Sequence, residues 1–126
     1  MKPPISLKMT DLSLGTGRKV VPGDTAVCHC RCTRSKGDVV FDSEKDGPYP
    51  IRVGERDCYV GIEYGLIGMQ VGGRRTIKVP PNLTYHERKT YKDLPDDAML
   101  TYELSLVELR EKWDPEMEAR LLESED

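Results

Sequence analysis

Near its C-terminus the chain alternates cleanly between apolar and polar positions. Leu100, Tyr102, Leu104 and Leu106 fall on one face, with Met99, Thr101, Glu103 and Ser105 opposite. That period of two predicts a half-buried antiparallel strand over Met99 to Leu109. Shorter alternating or apolar runs predict further strands at Ile5 to Leu12, Thr25 to Thr33, Val39 to Phe41, Ile51 to Val53 and Arg74 to Val79. Turn signals at Gly15-Thr16-Gly17, Pro22-Gly23-Asp24 and Ser35-Lys36-Gly37 separate them, and Pro80-Pro81 ends the basic strand.

A period of 3.6 appears over Cys58 to Met69, where Tyr59, Ile62, Leu66 and Met69 form one apolar stripe. Gly61, Gly65 and Gly68 interrupt it, each costing about 1 kcal/mol against alanine in a helix interior. A helix that keeps them is expected to pack closely against a neighbour. Asp42 to Pro50 reads as a loop or bulged crossing, and the stretch around Tyr85 as a polar loop. Asp114-Pro115-Glu116 opens a last short helix, with aspartate as N-cap and proline at the first helical position. Met117, Leu121 and Leu122 give it a weak apolar face. Antiparallel strands wrapped over one short helix make an α+β fold.

At 126 residues the chain is of single-domain size. A net charge of −3 leaves no basic excess for binding nucleic acid or an anionic membrane. The local basic spot at Arg74, Arg75 and Lys78 reads as a solvated strand face. No run approaches the roughly 18 apolar residues of a membrane span. The first residues lack the apolar stretch of a signal peptide, which sets a cytoplasmic expectation.

Three of the four cysteines, Cys28, Cys30 and Cys32, alternate along one strand. Their side chains share a face at roughly 6.5–7 Å spacing, too far apart to bridge one another on a straight strand. Reduced thiols are expected. A zinc site is disfavoured as well, because structural zinc ligands pair across a turn and His29 points away from the cysteines. Gly15-Thr16-Gly17 lacks the third glycine of a dinucleotide fingerprint, and Pro22 stands where its helix would run.

One ordered set of motifs remains: Gly23-Asp24, Val27-Cys28-His29-Cys30, Phe41-Asp42-Ser43, Gly61-Ile62-Glu63, Gly68-Met69-Gln70-Val71-Gly72, Val79-Pro80-Pro81, Leu83-Thr84-Tyr85 and Leu100-Thr101-Tyr102-Glu103-Leu104. In order and spacing, from about Leu14 to Glu111, this set resembles the FKBP-type peptidyl-prolyl isomerases. The resemblance implies a twisted antiparallel sheet wrapped around one short helix over residues 1–112, with 113–126 as an acidic, helical tail. It implies a proline pocket lined by Cys30, Phe41, Tyr49, Cys58, Ile62, Leu94 and Tyr102. Catalytic roles fall to Asp42 at the rim, the Tyr59 backbone N–H and the Tyr85 hydroxyl.

Three positions depart from the family pattern. Ile62 stands where the pocket floor is usually tryptophan, Cys30 replaces a wall tyrosine, and His86 replaces the glycine after Tyr85. The expected function is X-Pro isomerisation with reduced or altered activity, without a cofactor or metal. The alternative is a catalytically weak binding or holding-chaperone module. Expected partners are proline-containing polypeptides, with weakened affinity for immunosuppressant macrolides, and the chain is expected to be a monomer. Cys30 and Cys58 both map to the pocket, which raises a redox-linked pair as a minor reading beside plain packing thiols.

Overall fold

The computed structural model describes Pro4, residues 6–56 and residues 58–124. Its sheet has six strands: β1 (Lys8–Ser13), β2 (Thr25–Arg34), β3 (Val39–Asp42), β4 (Tyr49–Arg52), β5 (Arg74–Val79) and β6 (Leu100–Arg110). The order across the sheet is β1-β5-β6-β2-β3, with β4 also paired to β2, and every pairing is antiparallel. Helix α1 (Val60–Leu66) lies on one face. A 3₁₀ turn (Pro81–Leu83) and α2 (Tyr85–Thr90) lead into β6, and α3 (Pro115–Ser124) follows it.

β2 and β6 form the central pair. Their register sets Cys28 opposite Leu106, Cys30 opposite Leu104 and Cys32 opposite Tyr102. On β5, Ile77 continues the Cys32–Tyr102 row. All of these side chains are buried, so the period-two reading of both strands holds, and the three cysteines serve as small apolar core residues. The four cysteines are not bridged. Burial raises the Cys30 thiol to about 11 and the Cys32 thiol to about 12, and pushes Cys28 higher still. Such thiols remain protonated and unreactive at neutral pH.

The glycines of α1 are explained by close packing on this sheet. A methyl group at Gly61 would lie 2.8 Å from both Tyr102 Cδ2 and Val79 Cγ2, and one at Gly65 would lie 2.7 Å from Ile77 Cδ1. The helix backbone therefore rests directly on β5 and β6, and Ile62 and Leu66 are buried.

Several expectations need correction. The helix expected over Cys58 to Met69 is shorter: Tyr59 is its N-cap and Ile67 its C-cap, both extended. Beyond Leu66 the chain turns to reach the sheet, with Gly68 N–H donating to Val20 O and Val20 N–H to Met69 O. The polar loop around Tyr85 contains α2. β4 begins at Tyr49, two residues before the strand expected at Ile51, because Tyr49 and Pro50 pair with Cys28 and Val27. The Ile5 end of the first expected strand and the side chains of Leu121 and Leu122 lie outside the described residues.

Arg75 also departs from the solvated-face reading. Its side chain is 13% exposed, and Nη1 donates to Gly65 O and Ile67 O at 2.9 and 2.8 Å. It thus satisfies carbonyls left open where α1 ends. Its Nε pairs with Asp11 at 2.7 Å, while exposed Arg74 pairs with Glu103.

The segment after β6 docks on the turns before β2 and after β4. Trp113 N–H donates to Gly23 O at 2.8 Å, and its indole Nε1 to Val53 O at 3.1 Å. Asp114 Oδ1 accepts from the Glu116 and Met117 N–H groups, the capping expected of α3. Among the described residues no helix is long and apolar enough to cross a membrane.

Candidate functional site at the Phe41 aromatic cluster

Four elements converge on Phe41, at the end of β3. Its ring lies 5.8 Å from that of Tyr59, 5.7 Å from Tyr91 and 5.9 Å from Tyr102, measured between centroids. Tyr59 comes from the N-cap of α1 and Tyr102 from the middle of β6. Tyr91 follows α2. The Tyr59 and Tyr102 rings are tilted against Phe41, whereas Tyr91 stacks on it at 15°. Such tilted and offset pairs are the favoured aromatic geometries.

Of the ten expected site residues, Phe41, Tyr59 and Tyr102 are brought together by these ring contacts, and five others belong to the core or pack against it. Cys30, Ile62, Leu94 and Tyr102 belong to the buried core, and Phe41, Tyr49, Cys58 and Tyr59 pack against it half-buried. As N-cap, Tyr59 offers its carbonyl to the Ile62 and Glu63 N–H groups, each at 3.0 Å. Its own N–H precedes the helix and has no acceptor within it.

The two polar candidates have charged surroundings of their own. Asp42 lines a small cleft of about 160 Å³ with Cys30 and His29. One of its oxygens accepts from Glu44 N–H at 3.0 Å, and the other lies 3.7 Å from Arg31 Nε. Where the family has a wall phenol, this chain has a cysteine, and the charge beside Asp42 comes from Arg31. Tyr85 is 50% exposed on α2, with the His86 ring edge-on at 5.1 Å and Lys89 Nζ 4.3 Å from its ring centroid. The Tyr49 hydroxyl donates to Asp46 Oδ1 at 2.5 Å, which raises the phenol to about 12.

A larger cleft of about 710 Å³ opens beside the cluster, between α1 and α2. Cys58 and Tyr59 form its wall on the cluster side, Tyr64 stands on α1, and His86, Lys89 and Thr90 line it from α2.

Three residues at or beneath the site escaped the sequence reading. Tyr91 looked like part of a charged loop, since its stacking on Phe41 depends on α2 bringing it back. Glu87 is wholly buried and accepts a 2.7 Å hydrogen bond from the Tyr102 hydroxyl, tying α2 to the centre of the sheet. A tyrosine at position 102, with its hydroxyl needing a partner in the core, was the available signal. Ser43 is buried, its Oγ accepting from Cys30 N–H at 2.8 Å and lying 3.0 Å from His29 Nδ1. It fixes the chain as it leaves β3.

Burial raises the Glu87 carboxyl, a shift only partly offset by the Tyr102 hydrogen bond. Burial, the Glu87 charge and the Cys32 thiol keep the Tyr102 phenol strongly raised and protonated. The Tyr91 phenol is raised by burial and then by neighbouring Tyr59.

Comparison with known proteins agrees with this architecture. Residues 16–107 match the family model described as FKBP-type peptidyl-prolyl cis-trans isomerase. FK506-binding protein 4 of Chaetomium thermophilum is 35% identical over 115 residues, covering 86% of this chain and 24% of that protein. FK506-binding protein 2 of Candida glabrata is 31% identical over 93 residues, covering 72% and 68%. The chain therefore spans about a quarter of the first of these relatives. Among solved structures, AtFKBP13 aligns with a TM-score of 0.73 at 23% identity, over 86% of this chain and 96% of that one. FkpA from Escherichia coli aligns at 0.71 and 22%, over 86% and 51%. The matched family model, the relatives and the shared fold agree that this chain belongs to the FKBP-type peptidyl-prolyl cis-trans isomerase family.

Proposed function

We propose that the chain accelerates rotation about X-Pro peptide bonds in polypeptide substrates, with the prolyl ring received at the Phe41 cluster. The observation carrying this reading is the convergence of the Phe41, Tyr59 and Tyr102 rings at the edge of the buried core. X-Pro rotation is opposed by about 18–20 kcal/mol of amide resonance and needs neither nucleophile nor cofactor. An apolar cleft that excludes water favours the twisted amide, which carries less separated charge than the planar one. The Tyr59 N–H steers the substrate carbonyl at the mouth. Asp42 and Tyr85 act from the rim.

The departures set the strength of this activity. Ile62 offers a smaller floor than an indole, and Cys30 contributes no phenol beside Asp42. Both favour a lower turnover and a weaker hold on immunosuppressant macrolides than a pocket with a tryptophan floor would have. The buried thiol row on β2 is consistent with a reducing, cytoplasmic setting. A second reading, a binding or holding module of weak catalysis, is favoured by the larger cleft between α1 and α2.

The test is a proline-peptide isomerisation assay comparing wild type with Phe41→Ala. Acceleration by wild type that drops at least about tenfold in the variant supports the isomerase. Equal rates in the two would remove the Phe41 cluster from the mechanism.

A further inference from the structure

The stacking of Tyr91 on Phe41 puts a ring of this chain at the place where the proposed function puts the substrate's. Among the rings around Phe41, Tyr91 alone lies nearly parallel to it. Tyr59, the residue whose N–H is assigned to the substrate carbonyl, packs against the same Phe41 ring. We propose that Tyr91 is an internal occupant of the proline pocket: its ring covers the Phe41 face in the resting protein and rotates away when an X-Pro segment enters. This inference rests on the isomerase reading for the identity of the incoming group.

The backbone at this point permits such a motion without refolding. Tyr91 N–H donates to Glu87 O at 2.8 Å, and Leu94 N–H donates to Tyr91 O at 3.1 Å. Leu94 is buried, and α2 is anchored by the Glu87–Tyr102 hydrogen bond. The main chain is therefore held on both sides of Tyr91 while its side chain is only half-buried. Rotation about χ1 carries the ring into solvent and exposes Phe41 and Tyr59 together. Because only the open fraction of molecules accepts substrate, apparent affinity falls by that fraction. Tyr91 is thus a specificity-determining residue: a substrate must bind Phe41 well enough to displace it.

The test combines a short X-Pro peptide with wild type and Tyr91→Ala. Calorimetric titration is expected to show on the order of tenfold tighter peptide binding by the variant, with KM lowered to match and kcat little changed. In wild type, the Tyr91 ring resonances are expected to leave their stacked, upfield positions as the peptide saturates. Equal or weaker binding by Tyr91→Ala overturns the proposal. So do Tyr91 resonances that stay in place at saturation, a readout that needs no variant to fold. Tighter binding by the variant without isomerisation by either protein would keep Tyr91 as the occupant and remove the isomerase reading.

Discussion

Asp24 is fully buried where the turn before β2 meets the start of the tail. It accepts from Arg18 Nη1 and Nη2 at 2.7 and 3.1 Å and from Val21 N–H at 2.9 Å, with Lys112 Nζ at 3.2 Å. Burial alone would raise its carboxyl, but these partners outweigh burial and hold it below its ordinary value of 3.8. A depressed carboxylate contributes stability above its unfolded pKa and loses it as pH falls through the folded one. Asp24→Asn is expected to cost about 2–4 kcal/mol at pH 7 by chemical denaturation, since it removes a buried charge from its cations. That difference should shrink below about pH 3.8. Glu87 has the opposite sign. Its raised carboxyl contributes stability below its ordinary 4.5 and loses it as pH climbs toward the folded value. One oxygen, Oε1, is buried without a hydrogen-bond partner among the described residues. Glu87→Gln keeps an acceptor for Tyr102 and removes the charge, so its thermal midpoint should exceed that of wild type at pH 7 and converge with it near pH 4. A variant less stable than wild type at pH 7 would contradict this account of the buried carboxyl.

At the scale of elements, α1 is held by what its glycines lack. Gly61→Ala and Gly65→Ala each push a methyl group to within 3 Å of β5 and β6 side chains. Each is expected to destabilise by about 1–3 kcal/mol, despite alanine's better helix propensity. Unchanged stability would mean that the helix rides higher than described. This packing was legible at Gly61 and Gly65, because glycines interrupting an apolar stripe make sense only beneath a close neighbour, whereas Gly68 lies past the helix end. The ends of the helix were less so. Tyr59 and Met69 fit the stripe but lie outside the helix, where extended cap residues and hydrogen bonds to Val20 prevail over periodicity. α2 was hidden because Tyr85-His86-Glu87-Arg88-Lys89-Thr90 carries one inward residue, the charged Glu87, in place of an apolar face. Arg75 was misread for a related reason: alternation marks the face a side chain leaves from and not the helix end it reaches under.

For the whole molecule, β2 and β6 and their buried faces were readable from alternation, whereas their pairing at the centre of the sheet was not. Ordered motifs then supplied the family. The site was only partly readable. The rings of Phe41, Tyr59 and Tyr102 lie together because β3, the start of α1 and β6 position them, while Ile62 and Leu94 are buried in the core. Asp42 is drawn toward Arg31, and Tyr85 faces solvent beside Lys89, because local charge decides their surroundings. Tyr91 belongs to neither group and was invisible until α2 placed it. The central claim is that this sheet and helix present a working surface for X-Pro rotation. The most direct measurement is the cis-to-trans rate of a proline peptide as a function of wild-type protein concentration. The account predicts a rate that rises linearly above the uncatalysed one and is suppressed by a competing X-Pro peptide. A rate that stays at background across the full concentration range would contradict it.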